Sequence, residues 1–132
     1  MKNVEIFNAK TDKSAKDFID CLKVSAKQSG FIVRDIHDMG HIFSENGIAV
    51  SDDFNYYMIQ ICNPEKAYKS LSDNPERGVL IPKFVMVFED AKNKTTEIRF
   101  LNYNADFVKS LFEKDAAFQK SPPESCKTIT KI

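Results

Sequence analysis

The dipeptide Asn63-Pro64 is the sequence feature that most constrains how this chain folds, because the apolar residues change their spacing there. Before it, Tyr56–Cys62 alternates with a period of two, and one side carries Tyr57, Ile59 and Ile61. Such alternation is typical of a β-strand. After it, apolar residues follow helical spacing. Asparagine is a favoured N-cap, and proline loses no hydrogen bond in the first turn of a helix. The dipeptide therefore predicts a strand that leads directly into a helix.

Similar patterns predict the other elements of the fold. The further strands are expected at Val4–Phe7, Phe31–Ile36, Val79–Glu89 and Thr96–Leu101. The further helices are expected at Ser14–Gly30, Asp38–Asn46 and Asn104–Phe118. This order predicts an α+β two-layer sandwich in which helices pack on one face of a mixed sheet of about five strands. The sheet is expected to be mixed because a helical crossover before Tyr56–Cys62 permits a parallel pair.

The length of 132 residues corresponds to one domain, which we expect to span residues 1–120. Residues 121–132 open with Ser121-Pro122-Pro123 and are expected to form a C-terminal tail, loose or packed on a partner subunit.

Charge and hydropathy exclude several classes of partner. The formal net charge is zero, so no overall field attracts nucleic acid or an anionic membrane. The sequence has no apolar run of the ~18 residues that a membrane span needs. It opens on no signal-peptide pattern, which predicts a cytoplasmic protein, or a periplasmic one if a signal peptide was removed. The segment Asp35–Glu65 has six acidic residues and no Lys or Arg, which is typical of a solvated face.

The three cysteines, Cys21, Cys62 and Cys126, are far apart and odd in number. This spacing argues against a disulfide framework and against a zinc site. Cys62 is nevertheless a candidate functional residue, because a helix N-terminus directly after it can lower the pKa of a thiol. The competing interpretation is a small buried apolar residue at the end of a strand. Asn63 and Pro64 likewise either only cap the helix or leave its free amides to an anionic ligand.

A metal site is the weakest candidate. His37, His41 and Glu45 are spaced four apart, so a continuous helix would place them on one face, where they could bind a divalent metal. Gly40 interrupts that turn, however, and ordinary surface or capping histidines are the favoured interpretation. We therefore expect no metal or other cofactor.

Lys83 follows Pro82 within an otherwise apolar strand. Such a lysine either extends to solvent at a sheet edge or points into a cleft. Pro82 marks a strand start, an edge or a bulge, because proline cannot donate to the ladder.

A longer motif surrounds these residues. The chain reads Cys-Asn-Pro at Cys62–Pro64, continues into the predicted helix, and then reads Gly-Val-Leu-Ile-Pro at Gly78–Pro82 before a strand that ends at Glu89. Gly30-Phe31 and Gly47-Ile48 lie upstream. This arrangement resembles the bacterial and archaeal family known as domain of unknown function 302, over about residues 15 to 101. The resemblance implies a compact α+β fold that commonly forms a dimer, and it implies little about activity.

One position departs from the pattern of that family. Its members often carry a cysteine after the leucine-proline pair, where this chain has Lys83. A mechanism that uses two thiols is therefore not expected.

Together these features predict a non-enzymatic binding or interaction module that acts as a homodimer. Its partner would be a small anionic or polar ligand, or another protein, bound near a site formed by Cys62, Asn63, Pro64, Pro82 and Lys83. The alternative is a thiol-based redox enzyme or sensor that uses Cys62.

Overall fold

Five strands hydrogen-bond into one sheet in the order β1-β5-β4-β3-β2. The structure is a computed structural model and describes residues 2–131. The strands are β1 (Val4–Thr11), β2 (Ile32–Asp38), β3 (Tyr56–Cys62), β4 (Lys83–Asp90) and β5 (Thr95–Tyr103). All neighbouring pairs are antiparallel.

Five α-helices connect or follow these strands. They are α1 (Ala15–Gln28), α2 (Met39–Glu45), α3 (Pro64–Asp73), α4 (Ala105–Leu111) and α5 (Ser121–Lys131). A 3₁₀ helix, Pro75–Leu80, follows α3. The predicted α+β fold is confirmed, and β3 has the bounds expected from its alternation. None of the described helices is both long and apolar enough to cross a membrane.

The sheet is antiparallel throughout, so the expectation of a mixed sheet is wrong. The crossover through α2 was expected to permit a parallel pair of β2 and β3. A seven-residue helix advances only about 10 Å, whereas a seven-residue strand spans about 23 Å, so α2 does not carry the chain back along the strand. The chain instead re-enters the sheet in the opposite direction, with Ile36 opposite Ile59.

Alternate residues of the three central strands form the core. Their inward side chains are Ile59, Ile61, Val85, Val87, Ile98 and Phe100. Helix α1 packs on them because its apolar residues fall at helical spacing. Those residues are Ala15, Ile19, Leu22 and Ala26. Ser14 caps α1 by accepting a hydrogen bond from the Asp17 amide at 3.2 Å, and Gly30, with φ of +83°, turns the chain toward β2.

The C-terminal segment differs from the loose tail that its prolines suggested. Helix α4 ends at Leu111, a series of turns follows, and α5 begins at Ser121. Pro122 and Pro123 lie in the first turn of α5, where a missing N–H costs no intrahelical bond. Both prolines are buried, as is Cys126 one turn later, so α5 packs on this chain's own core.

The opposite face of the sheet is open to solvent in the single chain. Ile6 is 65% exposed, Leu101 47% and Phe84 37%. Ile6 and Leu101 are direct cross-strand partners in β1 and β5. These three residues, together with Met58 and Met86, are called the open face below.

The packing of α1 leads to a stability prediction with a matched control. Leu22 is 6% exposed, whereas Leu111 at the end of α4 is 54% exposed. We expect Leu22→Ala to lower the free energy of unfolding by about 2–5 kcal/mol, since it leaves a cavity in the core. Leu111→Ala should change it by less than about 1 kcal/mol. Urea unfolding measures both, and equal losses would contradict the assignment of α1 to the core.

Candidate functional site

A cavity of about 60 Å³ lies where the end of β3, the beginning of β4, helix α3 and the start of α5 meet. Its apolar walls include Phe31, Ile61, Ala67, Leu80, Phe118 and Pro122. Its polar lining residues are Asn63, Lys66, Ser70, Lys83, Ser121 and Ser125. The described lining thus contains two lysines and no aspartate or glutamate.

The structure brings four of the five predicted site residues together around this cavity. Cys62, Asn63, Pro82 and Lys83 all line it. Pro64 is exposed in the first turn of α3. The convergence arises because Ile61 of β3 lies opposite Lys83 of β4, so the strand end before α3 meets the strand start after the 3₁₀ helix.

The first turn of α3 is shaped by its cap. The Asn63 side chain accepts a hydrogen bond from the Lys66 amide at 3.2 Å, and the Asn63 carbonyl accepts one from the Ala67 amide at 2.8 Å. Asn63 therefore serves as the N-cap that its position predicted. Because the cap uses one of the free amides, the cationic character of this wall depends mainly on the exposed ammonium of Lys66.

Lys83 begins β4 and turns its side chain inward. Its amine donates a hydrogen bond to the hydroxyl of Tyr103 and lies 4.3 Å from the centre of that ring. Among the described side chains, no carboxylate lies within ion-pair distance of this amine. Burial lowers the pKa of Lys83, because desolvation disfavours the charged form. Of the two interpretations of Lys83, the structure thus matches the one in which it points into a cleft.

Tyr103 and Cys126 lie next to the Lys83 amine. Tyr103 is only 7% exposed and packs against Phe107, with ring centroids 5.2 Å apart. Burial raises the pKa of Tyr103 above its ordinary value, and the nearby Cys126 thiol adds to this. Cys126 is fully buried, and its thiol donates a long hydrogen bond of 3.8 Å to the Leu101 carbonyl. Because its pKa is raised, the Tyr103 phenol stays protonated at neutral pH.

Cys62 lies in a different electrostatic setting from the one that a reactive thiol needs. It is half-buried and pairs with Ile32 across β2 and β3. Burial raises the pKa of the Cys62 thiol, and the nearby positive charge of Arg34 only partly opposes this. All three cysteines are free thiols. The position before a helix N-terminus has thus not produced a low pKa at Cys62.

The 3₁₀ helix is fixed to the segment between α4 and α5 by a buried ion pair. The Arg77 guanidinium binds both carboxylate oxygens of Asp115, at 2.7 and 2.6 Å. It also lies 5.1 Å from the ring centre of Phe118, a wall of the cavity, and the Asp115 carboxylate accepts a hydrogen bond from the Phe118 amide. This pair therefore positions one side of the cavity.

His37, His41 and Glu45 do not converge on one point. His41 pairs with Glu45 at 2.6 Å on an exposed face of α2, while His37 lies on β2 with its ring 6.2 Å from that of Phe84. Among the described residues, no group of three or more His, Cys, Asp or Glu side chains could hold a metal ion.

Sequence reasoning missed the contribution of the C-terminal segment to this site. Phe118, Ser121 and Ser125 line the cavity, and Cys126 lies behind Lys83. A signal for part of this was present, because Ser121 followed by two prolines matches the start of a helix. The packing of Tyr103 against Lys83 had no such local signal, since the two residues are twenty positions apart.

The fold and its site define a small α+β domain built on a five-stranded antiparallel sheet. Its sequence matches the family described as "Domain of unknown function DUF302" over residues 7–126, and the chain belongs to that family. Among solved structures, it is similar to an uncharacterized conserved DUF302 protein from Bacillus stearothermophilus. The two share 21% sequence identity with a TM-score of 0.76, over 96% of this chain and 93% of the other. A comparison with curated proteins finds no significant match.

The Arg77–Asp115 pair makes a prediction about acid stability. Hydrogen bonds from Arg77 lower the pKa of Asp115 to about 2, from an ordinary value of 3.8. A carboxylate whose pKa is lower in the folded state stabilises the fold above its unfolded pKa, and this contribution is lost as the pH falls toward the folded pKa. We therefore expect Asp115→Asn to destabilise the protein at pH 6, with the difference from wild type shrinking between pH 4 and pH 2.

Urea unfolding of wild type and variant across this range measures the effect. Asp73→Asn is the matched control, because Asp73 is exposed and lies 4.0 Å from the same guanidinium. This control should change stability little at any pH. A pH-independent loss in Asp115→Asn would mean that the carboxylate charge does not stabilise this segment.

Proposed function

We propose that this protein is a non-enzymatic binding module for a small anion, which it holds beside Lys83 in the cavity, and that it acts as a homodimer. The observation that carries the proposal is the charge of the cavity. Two lysines line it, no described lining residue is acidic, and the Lys83 amine has no carboxylate partner among the described side chains.

The energetics of burial support an anionic ligand. Removing an ammonium group from water costs free energy unless an opposite charge or hydrogen-bond acceptors replace the lost hydration. The Tyr103 hydroxyl and ring compensate only part of this, since both are neutral. An anion in the cavity would supply the missing charge and would raise the pKa of Lys83 again.

The volume limits the ligand. A single water needs about 10–15 Å³ on this measure, so 60 Å³ accommodates about four to six non-hydrogen atoms. Apolar walls such as Ile61 and Phe118 suit a short carbon chain, and serines at the start of α5 offer hydroxyl donors. A short monocarboxylate fits this combination of size, charge and partial apolarity.

The alternative of thiol redox chemistry at Cys62 has less support. A reactive thiol needs a stabilised thiolate, whereas burial raises the pKa of Cys62. The three free thiols fit a reducing compartment, which favours the cytoplasm as the location of this domain.

Binding of a short carboxylate tests the proposal directly. We expect acetate and propionate to bind wild type, and Lys83→Met to weaken binding by about 10- to 100-fold, because a hydrogen bond to a charged group is worth about 1.5–3 kcal/mol. Lys69→Met, on the exposed side of α3, should leave the affinity unchanged. Chemical-shift titration measures each dissociation constant. Equal affinities in the two variants would contradict the role of Lys83.

The open face supports the homodimer. Ile6, Phe84 and Leu101 are exposed in the single chain, and Met58 and Met86 are half-buried. The charged neighbours Arg99 and Glu97 pair with each other at 2.9 Å. Two copies could therefore meet through this face without placing like charges together. Five strands at about 4.8 Å and seven residues at about 3.3 Å give a face of about 24 by 23 Å before side-chain relief is counted. That is comparable to the ~800 Å² per partner of a standard interface.

A charge placed on the open face tests the dimer. In a twofold dimer every substitution occurs twice in the same interface, so Leu101→Asp would bring two new carboxylates into an apolar contact. We expect wild type to sediment as a dimer and Leu101→Asp to raise the dissociation constant by at least about 100-fold. Val24→Asp, at an exposed position of α1, should remain dimeric. A monomeric wild type would rule out this assembly.

A further inference from the structure

We infer that Lys83 can capture its ligand covalently, by forming an imine with the carbonyl carbon of a small 2-oxo carboxylate in the cavity. This inference rests on the proposed function, since it assigns a ligand class and a bond to the same anion site. It follows from three structural facts, namely a half-buried amine, a phenol in contact with that amine, and a cavity with apolar walls that the amine lines.

The first fact concerns the nucleophile. An amine attacks a carbonyl only in its neutral form, and lysines used for imine chemistry are made neutral by desolvation. Lys83 is half-buried where it lines the cavity, and no described carboxylate pairs with its amine. The lowered pKa of Lys83 agrees with this setting. Lys66, in contrast, is exposed at the same cavity, where its side chain can bind the ligand carboxylate.

The second fact concerns proton transfer. The Lys83 nitrogen forms a bond to the carbonyl carbon, which gives a carbinolamine, and the carbon–oxygen bond then breaks. The oxygen leaves as water and takes up both protons that the amine loses, so no oxidant, reductant or other reactant is needed. The Tyr103 hydroxyl contacts the Lys83 nitrogen and remains protonated, so it can accept one proton from nitrogen while it delivers its own to the departing oxygen.

The third fact concerns the lifetime of the product. An imine is hydrolysed by water, and apolar walls that limit water around it favour its persistence. Ile61, Leu80 and Phe118 form such walls. Pyruvate has six non-hydrogen atoms, at the upper end of the range that the cavity volume allows.

Borohydride trapping tests this inference. Wild-type protein is incubated with pyruvate and reduced with cyanoborohydride, and peptide mass spectrometry locates the added carboxyethyl group. We expect one modification, at Lys83. Lys83→Arg, which keeps a cation at this position, should show no modification there. Tyr103→Phe should slow trapping by about 100-fold if the hydroxyl transfers protons. Since Lys83→Arg could disturb the core, the folding of each variant is checked by circular dichroism. Tyr103→Phe is the milder variant, because it removes only one hydroxyl.

Lactate separates the failure of this inference from the failure of the proposed function, because it has the size and charge of pyruvate but a hydroxyl group in place of the ketone. If lactate binds with the same dependence on Lys83 and pyruvate is not trapped there, covalent capture is wrong and anion binding stands. If neither molecule binds, both are wrong. Trapping spread over exposed lysines at rates unaffected by Tyr103→Phe also overturns the inference.

Discussion

Helices α1 and α5 bury one face of a five-stranded sheet, and the rest of the structure follows from that division. On the covered face, side chains such as Ile59, Val87 and Phe100 form one core with α1 and α5. Strand alternation then leaves the neighbouring residues on the other face, where Phe84 and Leu101 are exposed. The register of β3 with β4 therefore determines at once which residues fold the monomer and which are available for a second copy.

Lys83 lies at the boundary of this core. Its alternation with Val85 and Val87 directs it to the covered face, although its charge would be better solvated on the open one. The fold places the Tyr103 phenol beside the amine, and the amine lines the cavity. A lysine without a ligand to bind could extend its long side chain to solvent from the same strand end, as lysines usually do. The inward orientation is thus the strongest structural reason to connect Lys83 with a ligand.

The local parts of this fold were predictable, and the tertiary parts were not. The alternation of Tyr56–Cys62 and the capping dipeptide Asn63-Pro64 gave the correct element bounds, because both depend on neighbours in sequence. The direction of β3 depends on how far the connection from β2 carries the chain. With the short α2 in that connection, the sequence allowed either a parallel or an antiparallel pair. The residues of the candidate site likewise divide into those with a local sequence signal and those without one. Its Cys62–Lys83 half lies within one motif, whereas Phe118, Tyr103 and Cys126 reach it through packing that periodicity does not encode.

The sequence offers two candidate nucleophiles, the Cys62 thiol and the Lys83 amine. Cys62 directly follows Ile61, the residue that lies opposite Lys83 in the sheet. Cys62 itself, at the end of β3, pairs with Ile32 of β2. The side chains of Cys62 and Lys83 both line the cavity, but burial raises the pKa of the thiol and lowers the pKa of the amine, so burial disfavours the reactive thiolate and favours the neutral amine. Lys83 consequently gives the cavity an amine with a hydrogen-bonded phenol beside it. Its chemistry is therefore that of an amine, which binds anions when protonated and attacks carbonyl groups when neutral.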